Sequence, residues 1–155
     1  MKLRPAVGDD AEKVVHVYVD SWNKGFGHRL GVRGITPGLV ERWRTDLTAG
    51  TVRWTVAEVS AVVVGFVGVG PSRDPIDPDL GELDAIAVDP SHWRTGVGRR
   101  LMHHALDVLA DSWAKAVLWT PADYERGHRF YEATGWTALG WSRRDGTEVA
   151  FGRDL

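Results

Sequence analysis

Two glycines one residue apart, Gly96 and Gly98, stand where a strand gives way to a helix in the segment VDPSHWRTGVGRRLM, residues 88–102. Before them GELDAIAVDP reads as an apolar strand that Pro90 ends, because proline has no N–H to give to a sheet ladder. After them Val97, Leu101, Ala105, Val108 and Leu109 recur on one helical face. The first turn of a helix presents unpaired N–H groups and the positive end of the helix dipole. Glycines in that turn let a ligand meet the backbone without a Cβ in the way. Arg94, Arg99 and Arg100 add cationic donors around it. The combination suits a phosphate or diphosphate. A plain strand-to-helix turn that uses glycine for backbone freedom is the alternative that spacing alone leaves open. Two nucleotide motifs fail: there is no GxxxxGK[ST], and GVGRRL has Leu101 where a Rossmann fingerprint needs its third glycine.

The chain of 155 residues is long enough for a sizeable core and is expected to form a single domain, 1–155. Its formal charge of −2 gives no electrostatic case for a nucleic-acid partner. The lack of cysteine excludes disulfides, thiolate-bound zinc and a thiol nucleophile. No H-x-x-x-H spacing occurs, so no metal is expected. The opening MKLRPAVGDDAEK lacks an apolar signal core, and no run approaches the roughly 18 apolar residues of a membrane span. A cytoplasmic protein with no membrane partner is the expectation. Eight tryptophans are many for this length; core packing is the default for them, with pocket lining second.

Along the chain, KLRPAV reads as a strand. Asp9 with Glu12 forms a capping-box pattern for a helix bearing Val14, Val17, Tyr18 and Trp22. FGHRLGVRGITPG reads as loop, and TPGLVERWRTDL as a helix with Thr36 as cap and Pro37 in its first turn. TVRWTVAEVSAVVVGFVGVG reads as a hairpin turning near Ser60, and PSRDPIDPDLG as loop. KAVLWTP is a short strand. DYERGHRFYEATG is a helix between Asp123 as cap and Gly135, and the end of the chain is a hairpin around Asp145 and Gly146.

LDAIAVDPSHWRTGVGRRLMHHAL resembles the acyl-CoA-binding core of the GNAT superfamily of N-acetyltransferases, whose signature is a strand, a V-x-P turn and Q/R-x-x-G-x-G/A opening a long helix. YERGHRFYEATGW resembles the segment of that family ending in F-Y-E-x-x-G-F, so the resemblance covers residues 81–136. It implies an α/β (α+β) fold: a mixed, mostly antiparallel sheet of six or seven strands flanked by about four helices. It implies acetyl transfer from acetyl-CoA, the co-substrate, directly to an amine. The backbone of Ile86, Ala87 and Val88 would pair with the pantetheine arm in a gap between splayed strands. Arg94, Thr95, Gly96, Val97, Gly98 and Arg99 would cradle the diphosphate. Trp93 stands where the family has Gln or Arg, and Tyr124 where it often has an Asn that contacts the cofactor. Trp119 stands where one branch of the family carries its base.

Three tasks follow for such a reaction. The ammonium must lose a proton. The thioester oxygen needs a fixed donor, which the resemblance assigns to the Ile86 N–H. The leaving thiolate needs a proton, which it assigns to Tyr131. For the base, Glu82 and Asp84 alternate along the strand and share a face, which Ile86 and Val88 should continue. Glu82 matches by position the glutamate that some histone acetyltransferases of the superfamily use. Two acids at an exposed strand end, and a packing tyrosine, are the structural alternatives. His28 is a candidate for the acceptor site, whereas His103 and His104 lie within a helix with one of them facing solvent, and His128 reads as a surface helical residue. The acceptor is expected to be a small-molecule amine or a peptide. A non-catalytic acyl-CoA-binding homologue is the rival, and a homodimer is compatible with the resemblance.

Overall fold

In the computed structural model, which describes residues 1–155 apart from the side chains of residues 28–30, seven strands form one open sheet. The strands are β1 (Lys2–Pro5), β2 (Arg53–Val59), β3 (Val62–Arg73), β4 (Ile76–Val88), β5 (Lys115–Pro121), β6 (Thr137–Arg143) and β7 (Glu148–Asp154). Their order is β1-β2-β3-β4-β5-β7-β6. Four α-helices flank it: α1 (Ala11–Leu30), α2 (Pro37–Thr48), α3 (Val97–Ala110) and α4 (Glu125–Ala133). Every neighbouring pair is antiparallel except β4 and β5. That parallel pair is brief. It runs from Leu80–Glu82 against Lys115–Val117 and stops, although β4 continues to Val88 and β5 to Pro121. The two strands therefore part in the middle of the sheet.

Two apolar clusters hold the layers together. On one face α3 buries Leu101, Met102, Ala105 and Leu109 against Val67, Val69, Leu83 and Leu118. On the other, Ala11, Val14 and Val17 of α1 pack with Trp54, Val56 and Phe66. Burying one such aliphatic side chain removes it from water for roughly 1.5–3 kcal/mol, so the helices are fixed to the sheet mainly by these stripes.

The hairpins fall where the turn residues put them: Ser60 and Ala61 adopt φ of 51° and 62° between β2 and β3, and Asp145 and Gly146 adopt 55° and 80° between β6 and β7. Thr36 caps α2, its hydroxyl accepting the Leu39 N–H at 3.1 Å. Other boundaries move. A short turn over Gly8–Asp10 shifts the start of α1 one residue past the expected cap, and the Asp10 carboxylate accepts the Val7 N–H at 2.8 Å. The cap position of α4 is Tyr124, not Asp123.

Two segments expected as loop are regular. Phe26 to Leu30 continue α1, because the Phe26 ring packs between Trp22 and Tyr124, with centroids at 4.8 and 4.4 Å. Tertiary packing there outweighs the helix penalty of glycine. PSRDPIDPDLG is the far end of the β3–β4 hairpin, turned at Asp74-Pro75. Its prolines are tolerated because the ladders bypass them. The β2 ladder ends at Val69, leaving Pro71 with β4 alone, and Pro78 sits in an irregularity of the β3–β4 register.

Candidate active site

A cavity of about 560 Å³ opens where β4 and β5 part. One end is the turn into α3. Ile86, Ala87, Val88, Arg94, Gly96, Gly98 and Arg99 all line the cavity. Arg94 and Gly96 adopt φ of 63° and 90°, which folds the chain back on itself at the helix start. The first N–H of α3 to reach a carbonyl outside the helix interior is that of Arg100, on Gly96 at 3.1 Å, so the N–H groups before it are left for a ligand. A Cβ on Gly98 would stand 3.5 Å from the Phe130 ring, inside the cavity wall. The side chains of the other two residues expected in the cradle do not line the cavity, and the expectation for them concerns their backbone N–H groups. Val97 is buried in the α3 core, and the Thr95 hydroxyl donates to the His92 carbonyl at 2.5 Å, bracing the turn.

Trp93 closes this end. Its indole N–H donates to the Val88 carbonyl at 2.7 Å, and the Arg126 guanidinium lies 3.8 Å over its ring. The large residue in the Gln/Arg position therefore ties the end of β4 to α4.

In the middle stands Tyr131, half-buried beside Thr120. Burial pushes its phenol up to about 12; Tyr124 adds to this and a hydrogen bond with Thr120 opposes it. The phenol thus keeps its proton throughout the neutral range. Burial also raises the Tyr124 phenol, against the pull of Arg126.

The far end is aromatic. Tyr18, Trp22 and Phe26 of α1 line it together with Trp119 of β5, and Phe26 leads back along the wall to Tyr124, 4.4 Å away at the start of α4. Arg33 covers the outer side of this wall, 3.6 Å over the Trp22 ring and hydrogen-bonded to the Tyr18 hydroxyl. The segment after α1 is strapped down: Asn23 accepts the Arg33 N–H at 2.7 Å and donates to its carbonyl at 2.9 Å. Tyr18 and Trp22 were visible on a helical stripe while Phe26 was expected in the loop beyond it, and nothing local said that the three would line a cavity and not a core. His92 and Thr120 also line the cavity without having been singled out in the sequence.

The two carboxylates lie together at this end, but not as simple alternation predicts. Gly68 pairs with Ala85 and the next residue, Val69, with Leu83, so Asp84 is the extra residue of a β-bulge. The bulge reverses the phase of the strand. Leu83, Ile86 and Val88 face the α3 cluster, while Ala85 and Ala87 face the α1 cluster. The expectation that Ile86 and Val88 share the carboxylate face is corrected accordingly. Glu82 and Asp84 do keep company through Arg73, whose N–H reaches Glu82 Oε1 at 3.1 Å and whose guanidinium pairs with Asp84 Oδ1. Only Asp84 lines the cavity; Glu82 is 8% exposed and stands behind it.

The histidines scatter. His103 is exposed, and His104 Nε2 lies 3.1 Å from the Thr55 hydroxyl, beside a separate cavity. His128 is half-buried with Nε2 2.9 Å from the Pro121 carbonyl, so it is not the surface residue expected. The His28 side chain lies outside the described residues. Among the described residues no three His, Asp or Glu side chains gather as metal ligands, and no helix is long and apolar enough to cross a membrane.

Known proteins share this fold. The chain is 30% identical over 154 residues to the phosphinothricin N-acetyltransferase of Streptomyces viridochromogenes, covering 94% of this chain and 79% of that one. Its fold superposes with a TM-score of 0.80 on the ribosomal-protein-alanine N-acetyltransferase of Brucella melitensis, at 16% identity over the whole of both chains. The TM-score is 0.76 with the PaiA N-acetyltransferase of Thermoplasma acidophilum, solved in complex with coenzyme A, at 15% identity over 99% of this chain and 98% of that one. The sequence pattern of the family described as acetyltransferase (GNAT) family matches residues 11–136. With that match over most of its length, and with a mostly antiparallel seven-stranded sheet that parts between β4 and β5, the chain belongs to the GNAT family of acetyl-CoA-dependent acyltransferases.

Proposed function

We propose that this protein moves the acetyl group of acetyl-CoA to the amine of a small molecule, within the cavity between β4 and β5. The observation that carries the reading is the parting of the strands past Glu82. It leaves the edge of β4 at 86–88 without a β5 partner and puts the Gly96–Gly98 turn at one end of the gap. An extended pantetheine arm can take up that edge as a strand would, with its diphosphate on the N–H groups and arginines of the turn. The Ile86 N–H is then the donor for the thioester oxygen. Tyr131, protonated and lining the same cavity, is the acid that meets the departing sulfur. Tyr124 borders the cofactor through its ring. Glu82 stands behind the wall, so we propose that it takes the ammonium proton through water and not by direct contact.

A small acceptor is favoured over a peptide because the α1 aromatics wall the far end of the cavity and the segment at 31–33, bonded to Trp22 and Asn23, backs that wall. The similarity to an enzyme named for one compound, phosphinothricin, supports the same choice. Release of CoA from acetyl-CoA, followed with small amines and with amine-terminated peptides, tests the reading. Turnover of a small amine with little turnover of peptides is expected. Turnover of peptides alone would replace the acceptor class, and tight acetyl-CoA binding without any turnover would favour a non-catalytic acyl-CoA-binding protein.

A further inference from the structure

We infer that Asp84 is the residue that receives the acceptor's ammonium, and that the acceptor is a monocationic amine on an aromatic or apolar body. The inference rests on the N-acetyltransferase reading above and narrows its substrate class.

Charge is divided sharply along the cavity. Arg94, Arg99 and Arg126 line the end at the turn into α3. Asp84 is the one carboxylate among the described lining residues. It lies four residues before Val88, about 13 Å along an extended strand from the arginine end. The bulge explains how a charged side chain comes to this wall at all. The extra residue re-aims the strand, so the Asp84 carboxylate reaches the cavity although Ile86 and Val88, which border it further along, pack on the α3 cluster.

The carboxylate is held but not saturated. Its partner Arg73 engages Oδ1 and is itself 59% exposed, against 15% for Asp84. A mostly exposed partner of this kind contributes little binding energy and is screened by salt. A carboxylate accepts about four hydrogen bonds, so an ammonium can join the pair without displacing Arg73.

The surroundings select the rest of the molecule. Tyr18, Trp22, Phe26 and Trp119 offer ring faces and edges, which suit apolar contact and reinforce a nearby cation. A polyamine or aminoglycoside would bring several ammonium groups to one carboxylate, leaving the others desolvated without partners. An amino acid would bring a carboxylate to an end where no described cation lines the wall, since Arg73 is committed to Asp84, Arg33 stacks outside on Trp22, and Arg143, stacked on Trp119, is paired with Asp74 and Glu148.

The test is steady-state CoA release at fixed acetyl-CoA with 2-phenylethylamine, phenylalanine, spermidine and phosphinothricin, for the wild type, Asp84→Asn and Asp84→Glu. The wild type is expected to favour 2-phenylethylamine over the other three in kcat/KM by about 10- to 100-fold, the worth of a hydrogen bond to a charged group. Asp84→Asn, nearly isosteric, should raise KM for 2-phenylethylamine by a similar factor while the calorimetric Kd for acetyl-CoA stays unchanged, and Asp84→Glu should recover part of the loss. A merely structural Asp84 would instead move acetyl-CoA affinity and melting temperature together. Preference for phenylalanine, spermidine or phosphinothricin, or a wild-type KM in Asp84→Asn, overturns the inference and leaves the acetyltransferase reading standing. If the wild type binds acetyl-CoA but acetylates none of the four, the small-amine reading falls and the inference with it.

Discussion

The two ends of the cavity are built on different principles. The end at α3 is made of backbone: glycines, a left-handed residue and helix-start N–H groups, with arginines around them. The end at α1 is made of side chains: three rings one helical turn apart, a fourth from β5, and a carboxylate on a bulge. Backbone recognition is indifferent to most side-chain changes and suits a ligand that every member of a family shares. Side-chain recognition is rewritten by single substitutions and suits the partner that differs from one member to the next. On the function proposed above, specificity for the acceptor would therefore reside at the α1 end.

The harshest way to break the contrast is to put a side chain into the backbone end. Gly98→Asp adds a carboxylate where the diphosphate is expected, 3.5 Å from Phe130. Acetyl-CoA affinity should fall by roughly 100-fold, from loss of charge-assisted bonds and from like-charge repulsion. Calorimetry on the folded variant reads this, and an unchanged Kd would remove the cradle.

Next in size is the centre. Tyr131→Phe should lower kcat by about 10- to 100-fold with acetyl-CoA affinity intact, at the low end of positioned acid catalysis because a thiolate is already a fair leaving group. Its pH dependence has a definite sign. The phenol is pushed up to about 12, above its ordinary value near 10, so the folded state favours the protonated form. The stability this brings is fully present below about pH 10 and is lost as pH rises from there toward 12. Wild-type melting temperature should fall across that window more steeply than that of Tyr131→Phe. Equal slopes, together with a wild-type kcat, would make Tyr131 a packing residue.

A smaller effect is expected behind the acceptor wall. Glu82→Gln should depress kcat/KM by about tenfold at low pH, where the amine is most protonated, and less as pH rises. An unaltered pH profile would return the proton to bulk water. The smallest change sharpens the comparison at the backbone end. Trp93→Gln restores the residue type usual in the family and removes the indole bond to Val88 and the stack under Arg126. If the backbone is what holds the cofactor, acetyl-CoA affinity should shift by less than about tenfold, roughly one hydrogen bond's worth. A larger loss would show that a side chain had taken over part of that end.

How far each end could be read in advance follows the same division. Gly96, Gly98 and the stripe Val97, Leu101, Ala105 were legible because turn and helix signals act within a few residues. The F-Y-E segment placed Tyr131 on α4 for the same reason. The acceptor end was poorly legible. Tyr18 and Trp22 announced a helix face, but the partner of that face lies about a hundred residues away in Trp119 and Tyr124. Glu82 and Asp84 were read as one alternating face with Ile86 and Val88, and a single inserted residue undid half of that.

By itself the sequence determined the family, the strand-turn-helix around Gly96 and Gly98, the turns at Ser60 and Asp145, and the amphipathic face of α3. These depend on φ preferences and on periodicity, which are properties of neighbouring residues. Only the tertiary structure decided where β4 leaves β5, that Asp84 forms a bulge, and that α1 runs on through Gly27 to wall the cavity. Each of these is a contest between distant segments for the same hydrogen bonds or the same apolar surface. The outcome is set by how strands with different partners on their two edges share a sheet, which no short stretch of residues contains.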